Sequence, residues 1–387
     1  MMPGWVTGKR AFFWIFSILL ALGVALFCLL ILERGLYFVS EHRGLHLNSL
    51  ATRVIPLHEA VPGSASFYKP EGNYLALMAE AHMASSGISE RFDENGFLQP
   101  SGADGKPDIK IVFIGGSTTQ NIHVPPLDKF AYLTGRMLSV QAGCRVGTYN
   151  AGLSGNDSID NMNVLVNKAL PTHPDFVVFM ENINDLQKLI ATGGYWNDPG
   201  IRNYLAPQYT LSAGIHAVAG KTLPYTIHLL AHLHDTTPAD EWQSVRGKHR
   251  VIDPRAVLGS QRAALTSLVE VSRSWGIQPV VVVPPSRFKP EGAVGVLASG
   301  MSSYERDYGL SQGAFFRLYG QANDTIRAVA QEHHALLIDL DSAIPPQPRF
   351  IYDWVHMTIT GSHLAASIIV QQLLPAIRAM PQCRQRS

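Results

Sequence analysis

The sequence predicts an α/β fold in which helices cover both faces of a parallel sheet, preceded by one transmembrane helix. From residue 110 onwards, short runs of apolar and β-branched residues alternate with longer segments of helical periodicity. Continuous apolar strands in such an alternation are typical of a parallel sheet that is buried on both faces. The transmembrane prediction comes from residues 11–32, which include no charged residue.

The apolar run 11–32 is long enough to cross a bilayer. At a rise of about 1.5 Å per residue it reaches about 33 Å, against a hydrocarbon core of about 30 Å. A cleaved signal peptide is the alternative, but the run exceeds the usual ~7–15 residues and no Ala-x-Ala site follows it. Lys9 and Arg10 precede the run, whereas Arg34 and Arg43 follow it. The N-terminal amine tips this charge balance towards a cytoplasmic N-terminus and a body outside the cytoplasm.

Length and composition set broad limits on the function. The 387 residues suggest one large domain or two small ones, and 46% hydrophobic with 16% charged residues fits a globular core plus a membrane segment. The formal net charge of +1 gives no reason to expect a nucleic-acid partner. Cys28 lies in the apolar run, so only Cys144 and Cys383 remain, and the sequence leaves open whether they are bridged.

The elements from residue 110 onwards are predicted in alternating order. The predicted strands are 110–114, 146–150, 175–180, 277–283 and 336–340. The predicted helices are 127–140, 157–170, 254–275, 312–334 and 358–380. Asn156 or Asp157 is the expected N-cap of the second helix.

Two segments lack this strong periodicity. Residues 33–90 contain scattered Pro, Gly and Ser and are predicted to connect the membrane helix, which follows a short tail 1–10, to the folded body. Residues 192–250 are predicted to be an insertion. Within it His228, His232 and His234 have a spacing that could suit zinc, but no Glu or Cys completes a known pattern. We therefore expect neither a metal nor a cofactor.

The most informative residues lie at predicted carboxyl ends of strands or in adjoining loops, where open α/β sheets place their sites. Ser117 follows the first strand in the run FIGGSTT, and His356 lies three residues after Asp353 in DWVH. A histidine that removes the proton of a serine hydroxyl predicts nucleophilic attack on an acyl group. Taken singly, Ser117 could be a helix N-cap, His356 a structural histidine and Asp353 a cap of the last helix. The prediction depends on the ordered set.

Two further segments supply candidates for an oxyanion site. Gly152, in NAGLSG after the second strand, allows close backbone approach and could donate its N–H, although an ordinary turn is the alternative. Asn184, in ENIND after the third strand, could donate its side-chain amide to the same oxyanion. Asn182 and Asp185 could instead cap the helix that follows.

The ordered segments FIGGSTT, NAGLSG, ENIND and DWVH resemble the SGNH/GDSL hydrolase superfamily, and RFDENGF resembles the lead-in of its membrane-anchored bacterial members. The resemblance covers about residues 91–380, within a domain assigned to 91–387. It implies a flavodoxin-like three-layer α/β/α fold. It also implies that Ser117 is the nucleophile, His356 the base and Asp353 the group that orients it, with the Ser117 N–H, Gly152 and Asn184 as oxyanion donors.

The chain departs from the family pattern in two places. The first block reads Gly-Gly-Ser where Gly-Asp-Ser is the name-giving form. Asn182 stands where glycine is usual in the third block, so we expect it either to narrow the site or to add a donor.

The predicted function is a membrane-anchored serine esterase that hydrolyses O-acyl esters, acetyl esters in particular, through an acyl-enzyme on Ser117. An O-acyltransferase that modifies an envelope glycan is the first alternative, and a non-catalytic envelope assembly or binding protein is the second. The expected partners are a small-molecule or glycan ester and the membrane, through residues 11–32. The expected location is a bacterial inner membrane, crossed once, with the catalytic domain in the periplasm.

Overall fold

The computed structural model describes residues 5–42, 57–102, 105–196, 252–299 and 309–384, together with 222, 223, 225, 226 and 229. The chain divides into two compact units, of which one comprises Met1–Asn48 and Leu205–Ala239 and the other Ser49–Tyr204 and Asp240–Ser387. Most of the predicted insertion 192–250, including His228, His232 and His234, lies outside the described residues.

The first unit contains the long helix α1 (Trp5–His42). Within it, Phe12–Val39 is long and apolar enough to cross a membrane, a test that a signal sequence near the N-terminus also passes. The helix extends beyond the predicted run 11–32 on both sides. In the C-terminal part of α1, Glu33 is buried, and its carboxylate accepts hydrogen bonds from the backbone N–H groups of Tyr225 (2.8 Å) and Thr226 (2.7 Å).

The described strands of the second unit form one eight-stranded sheet. They are β1 (Ala65–Tyr68), β2 (Ile88–Phe92), β3 (Leu98–Gln99), β4 (Ile109–Gly115), β5 (Val146–Asn150), β6 (Phe176–Met180), β7 (Gln278–Val283) and β8 (Leu336–Asp339). Their order is β1-β2-β3-β5-β4-β6-β7-β8. The five strands from β5 to β8 in that order run parallel. Counted by their place in the chain these five read 2-1-3-4-5, which is the flavodoxin-like order and confirms the predicted fold class.

The helices of this unit lie along the same chain order. They are α2 (Asn73–Glu80), α3 (Ser117–Gln120), α4 (Phe130–Ala142), α5 (Ser158–Val164), α6 (Ile183–Thr192), α7 (Pro254–Ser274), α8 (Val296–Ser299), α9 (Gln312–Glu332), α10 (Leu340–Ala343), α11 (Ile359–Ala379) and α12 (Pro381–Arg384). The long helices among them form the outer layers of the sandwich.

The core lies on both faces of the parallel strands. Because side chains alternate along a strand, Phe113 of β4 joins the cluster that α4 and α11 cover, whereas Val112 joins the cluster under α5, α7 and α9. Both side chains are fully buried. This two-sided burial is the physical reason that β4 reads as a continuous apolar run and ends abruptly at the glycines before Ser117.

Residues predicted to be a connecting region contribute strands to the sheet. β1 lies within 33–90, and β2 begins there and ends at Phe92. The two strands pair antiparallel, and β2 continues the sheet through β3 to β5. Glu90 of β2 is fully buried, and its carboxylate meets the Lys129 ammonium at 2.6 Å and accepts from Gln120 Nε2 at 2.8 Å. This buried ion pair joins the antiparallel strands to the segment that follows Ser117.

The predicted helix 157–170 is shorter as an α-helix than the periodicity indicates. It begins with Asp157 as N-cap, whose side chain accepts from the N–H groups of Ile159 and Asp160 in a capping box. The α-helix ends at Val164, and a π-helical turn and a 3₁₀ turn that contains Pro171 follow. Pro171 has no N–H to donate, so helical hydrogen bonding stops within this last turn.

A disulfide joins Cys144, just before β5, to Cys383 in α12, with 5.2 Å between the two Cα atoms. It closes a question that sequence spacing left open. The bond connects two segments separated by 239 positions, so it ties the C-terminal helix to the edge of the parallel sheet. Cys28 is exposed on α1 and unbridged.

Candidate active site

Ser117 lies at the sharp turn between β4 and α3. The residue in the N-cap position is Gly116, which makes no side-chain cap, so Ser117 is the first residue of the helix rather than its cap. The Ser117 hydroxyl instead lies 2.7 Å from Nε2 of His356. The structure therefore brings together two residues that are 239 positions apart in the sequence.

Asp353 orients His356 through both carboxylate oxygens. One oxygen accepts from the backbone N–H groups of Val355 (2.9 Å) and His356 (2.7 Å), and the other lies 2.6 Å from His356 Nδ1. The cap of α11 is Thr358, not Asp353. Ser117, His356 and Asp353 thus form one continuous hydrogen-bonded chain, with exposed fractions of 7%, 8% and 5%.

The charges of Asp353 and His356 determine where the protons of this hydrogen-bonded triad lie. Burial acts to raise the pKa of Asp353, but the neighbouring His356 and the hydrogen bonds that it donates outweigh burial and lower that pKa. An ionised Asp353 accepts the Nδ1–H of His356. The lone pair of Nε2 is then directed at the Ser117 hydroxyl, which is the arrangement that a general base requires.

Asn184 lies in the first turn of α6, beside the Ser117 turn. Its side-chain Nδ2 donates to the carbonyl oxygen of Asn156 at 2.9 Å and to Glu181 Oε2 at 3.3 Å. A Cβ atom built on Gly116 would lie 2.4 Å from that same Nδ2 atom. The amide of Asn184 therefore touches the residue before Ser117, where the sequence predicts an oxyanion donor.

Gly152 packs against the backbone that follows Ser117, and its N–H already has an acceptor. Its backbone N–H donates to Oδ1 of Asn150 at 2.9 Å, and the Asn150 amide in turn donates to the carbonyl oxygen of Thr119 at 2.8 Å. A Cβ atom at Gly152 would lie 2.5 Å from the backbone nitrogen of Gln120. The N–H of Gly152, which we expected to be free, is thus bonded to Asn150, and only glycine fits against the backbone of α3.

The polar neighbours of Asn184 also resolve open alternatives. Asn182 directs its amide to Asn323 Oδ1 (2.5 Å) and accepts from Gln261 Nε2 (3.3 Å), so it contacts α7 and α9 instead of adding an oxyanion donor. Asp185 accepts from both the N–H (2.8 Å) and the hydroxyl (2.6 Å) of Ser158, so it joins α6 to α5 and caps no helix of its own. Burial, reinforced by repulsion from nearby carboxylates, raises the pKa of Asp185 to about 7.

Sequence reasoning missed a second histidine near His356. His123 is buried in a left-handed backbone conformation (φ 61°), and its Nδ1 lies 2.8 Å from the hydroxyl of Tyr352. The Tyr352 ring lies nearly parallel to the His356 imidazole, with centroids 5.9 Å apart. Burial, followed by the repulsion of His356, lowers the pKa of His123 to about 4, so this histidine is neutral at pH 7. No sequence pattern indicates a left-handed histidine.

Arg287 was also missed. Its guanidinium is buried and donates to backbone carbonyl oxygens, including those of Gly292 (2.9 Å) and Ile351 (3.4 Å). Its backbone N–H donates to the carbonyl oxygen of Trp354 at 2.8 Å. Arg287 thereby joins the loop after β7 to the loop that carries Asp353 and His356. Its position just beyond an apolar strand was the only sequence signal.

The comparisons with known proteins identify similar solved structures. No family model matches this chain, and no curated protein matches it. The chain is similar to an acetylxylan esterase from Geobacillus stearothermophilus, with 16% identity, 71% of this chain and 95% of that one covered, and a TM-score of 0.40. It is also similar to a lipase/acylhydrolase from Enterococcus faecalis, with 18% identity, 69% and 96% covered, and a TM-score of 0.41. At these scores the functional argument comes from the site alone.

Proposed function

We propose that this chain is a serine esterase that hydrolyses O-acyl esters through an acyl-enzyme on Ser117. The observation that carries the proposal is the unbroken hydrogen-bond chain from Ser117 Oγ through His356 to Asp353. Serine hydroxyls are weak nucleophiles unless an adjacent base accepts their proton, and the base acts best when a third group orients it. Ser117, His356 and Asp353 supply the nucleophile, the base and the orienting group, and all three side chains are buried at one edge of the sheet.

The mechanism follows from these contacts. Ser117 Oγ attacks the ester carbonyl carbon while its proton passes to His356 Nε2, and the carbonyl oxygen becomes an oxyanion. When the intermediate collapses, His356 gives that proton to the departing alkoxide, which leaves as the alcohol. Water then attacks the acyl-enzyme with His356 again as base, and the carboxylic acid is released. Asp353 stays ionised and stabilises the imidazolium in both steps.

The oxyanion is assigned to two donors, the Ser117 backbone N–H and the Asn184 side-chain amide. Both belong to segments that meet at Gly116, and preorganised donors of this kind stabilise charge that appears only in the transition state. The N–H of Gly152 would have to leave Asn150 Oδ1, at 2.9 Å, to join this set, whereas the Asn184 amide would have to give up only its longer contact, to Glu181 at 3.3 Å.

An O-acyltransferase is the second candidate, in which a glycan hydroxyl replaces water in the second half of the reaction. It differs from the esterase only in how well water is kept from the acyl-enzyme. The small exposed fraction of Ser117, 7%, favours keeping this candidate. Acetyl is the proposed acyl group in both cases.

The proposed location is the outer side of a membrane, anchored through α1. The length and apolar character of Phe12–Val39 support the anchor. The Cys144–Cys383 disulfide supports a non-cytoplasmic body, because such bonds persist in oxidising compartments such as the periplasm.

The deciding experiment removes the nucleophile. Ser117→Ala in the full-length protein should lower ester turnover by about 10⁴-fold or more with the melting temperature unchanged, because the members of such a triad act as a unit. A phosphonate ester should label Ser117 in the parent protein and nothing in the variant, as read by peptide mass spectrometry. Ser267→Ala, which removes an exposed hydroxyl bonded to its own helix, is the matched control.

Retention of most activity in folded Ser117→Ala protein would refute the esterase assignment. The two candidates are separated by offering acetyl esters with and without a glycan acceptor. Free acetate in both reactions identifies the esterase. Acetylated acceptor, formed only when Ser117 is present, identifies the transferase.

A further inference from the structure

His123 bonds to the protein through one ring nitrogen and leaves the other open. The residue is 8% exposed, and its Nδ1 lies 2.8 Å from the hydroxyl of Tyr352. Its Nε2 has no hydrogen-bond partner among the residues that the structure describes, yet it is not sealed in the core as the unpartnered Thr134 hydroxyl is. Nε2 is therefore the atom of this histidine that a ligand can reach.

The contact with Tyr352 fixes which nitrogen of His123 carries the proton. The Tyr352 side chain is fully buried, and in the described part of the chain its hydroxyl has Nδ1 of His123 as its one partner. A buried hydroxyl that fails to donate is costly, so the Tyr352 O–H donates to the lone pair of Nδ1. Burial and the neighbouring His356 keep the imidazole uncharged, which leaves its proton on Nε2. The open atom is thus a neutral N–H donor.

The loop that contains His123 follows directly from the nucleophile. The N–H groups of Asn121 (2.8 Å) and Ile122 (3.4 Å) both donate to the carbonyl oxygen of Ser117. Asn121 (φ 58°) and His123 (φ 61°) are in the left-handed region, which is uncommon for residues other than glycine and has to be held by surrounding contacts. The Asn121 amide supplies one of these contacts, to Ser362 Oγ at 2.7 Å. The fold thus holds His123 beside the site in an uncommon conformation.

His123 lies on the side of the site from which the alcohol departs. In the proposed mechanism His356 Nε2 gives its proton to the departing alkoxide, so the alcohol portion of the ester lies against His356. The Tyr352 ring, nearly parallel to the His356 imidazole with centroids 5.9 Å apart, connects that imidazole to His123. Asn184, the oxyanion donor, belongs to α6, which packs with α7 and α9 on the other face of the sheet from α4 and α11. The oxyanion and the alcohol portion therefore meet different groups.

Tyr74 adds an aromatic surface next to the open nitrogen. It lies in α2, is 40% exposed, and its ring centroid is 5.7 Å from that of His123. The nearby cations Lys129 and Arg287 are both buried and bound to protein acceptors, so an anionic alcohol gains no counter-charge from them. An aromatic ring with one well-placed neutral donor is suited to an uncharged ligand that carries hydroxyl groups, such as a sugar.

We propose that His123 is a substrate-binding residue for the alcohol portion of the ester and that this portion is a sugar: the Nε2–H donates to a sugar oxygen, and Tyr74 packs against the sugar ring. The assignment rests on the proposed function, because it names the substrate class of the same site. In the transferase alternative the same surface binds the acceptor sugar. The hydrogen bond from His123 is made in the substrate complex and the transition state alike, so it acts on KM more than on kcat.

The test compares two acetyl esters that share a six-membered ring, a methyl glucoside acetylated at one hydroxyl and cyclohexyl acetate, which has no sugar oxygens. Acetate release gives kcat/KM for each ester with the full-length parent and with His123→Phe, which keeps a ring and removes the donor. The sugar-to-cyclohexyl ratio of kcat/KM should fall by about 3–10-fold in the variant, mostly through KM for the sugar ester, because one neutral hydrogen bond is lost. His363→Phe, which replaces an exposed histidine bonded to Asp128, is the matched control and should keep the parent ratio.

Two results with folded His123→Phe protein, checked by circular dichroism, would overturn the proposal. An unchanged ratio would show that His123 makes no contact with the alcohol portion. An equal loss with both esters would show that His123 acts on His356 through Tyr352 instead of on the substrate.

A second readout needs no turnover. In full-length Ser117→Ala protein with nitrogen-15-labelled histidine, NMR at pH 7 should show His123 as a neutral imidazole with its proton on Nε2, and methyl glucoside should shift that resonance. The resonance is assigned by its loss in His123→Phe or, if that chain does not fold, in His123→Gln. A proton on Nδ1, or no shift with methyl glucoside, would contradict the proposal. If Ser117→Ala proved fully active, the esterase would fail while this spectrum still reported on sugar binding.

Discussion

Ser117 shows how a helix start becomes a reactive position. A serine at the beginning of a helix ordinarily caps it by accepting from a backbone N–H. Here Gly116 occupies the N-cap position and makes no side-chain bond, so the Ser117 hydroxyl is left for His356. Glycine is required at that cap because Asn184 and Glu181 lie against it. The side chains of Ser117, His356, Asn184 and Glu181 can therefore pack together only because residue 116 has no Cβ atom.

At the residue scale we expect Asn184 and Gly152 to fail in different ways. Asn184→Ala should lower kcat by about 10²–10³-fold with a smaller change in KM, since the amide holds charge only in the transition state. Gly152→Ala should lower the melting temperature as well as activity, because its new methyl group would press on the backbone nitrogen of Gln120 at 2.5 Å. Steady-state kinetics and thermal melts separate the two. A change confined to KM in Asn184→Ala would make Asn184 a substrate-binding residue instead.

Among the elements, the antiparallel strands are joined to the site by buried polar contacts. Lys129, at the start of α4, donates to Glu90 of β2 and to the carbonyl oxygens of Gln120 (2.8 Å) and Asn121 (2.7 Å), and Gln120 accepts from the N–H of Ser154 at 2.8 Å. Burial lowers the pKa of Lys129, an effect that the charge of Glu90 opposes. The loop after Ser117 is thus held between β2 and the loop after β5.

Glu90→Ala should lower the free energy of unfolding by about 3–5 kcal/mol, because it leaves a buried, unpaired ammonium on Lys129. Urea denaturation followed by circular dichroism measures the loss. Glu332→Ala, which breaks an exposed pair with Arg262, is the control and should cost no more than about 1 kcal/mol. Equal losses in the two variants would show that Glu90 and Lys129 contribute little to the stability of the sheet extension.

For the whole molecule, the two compact units separate an apolar helix from the body that contains the proposed site. The disulfide belongs to the body and α1 to the other unit. Together these two observations support the proposed topology, in which the membrane helix is retained and the body lies in an oxidising compartment.

A reporter fused after residue 60 tests that topology. Alkaline phosphatase should be active there, and a fluorescent protein that folds only in the cytoplasm should be dark, because we place the body outside the cytoplasm. The same fusions made after residue 8 are the control and should give the opposite result. Inactive alkaline phosphatase with a bright fluorescent protein after residue 60 would invert the topology. A mature N-terminus beyond residue 39 would instead show that α1 is a cleaved signal.

The sequence alone determined which segments form the parallel strands and which residues follow them. Buried strands leave continuous apolar runs that stop at polar segments, which marked Ser117 and Asn184 as candidates. Their expected roles, and that of His356, came from the ordered set of motifs. The predicted α/β fold is confirmed for the same reason. The contact between Ser117 and His356 could not be derived in this way, because His356 lies in a loop well beyond the end of β8.

Only the tertiary structure decided where individual hydrogen bonds go. Asn150 accepts from the N–H of Gly152, and the Glu181 carboxyl accepts from the N–H groups of Asn182 and Asn184 and from the Asn184 side-chain amide. No local sequence pattern reveals these partners. The short strands β1 and β2 and the Cys144–Cys383 bond were likewise visible only in the tertiary structure. Their existence depends on which distant segments become neighbours, and a buried polar group takes whichever partner the packed fold brings within reach.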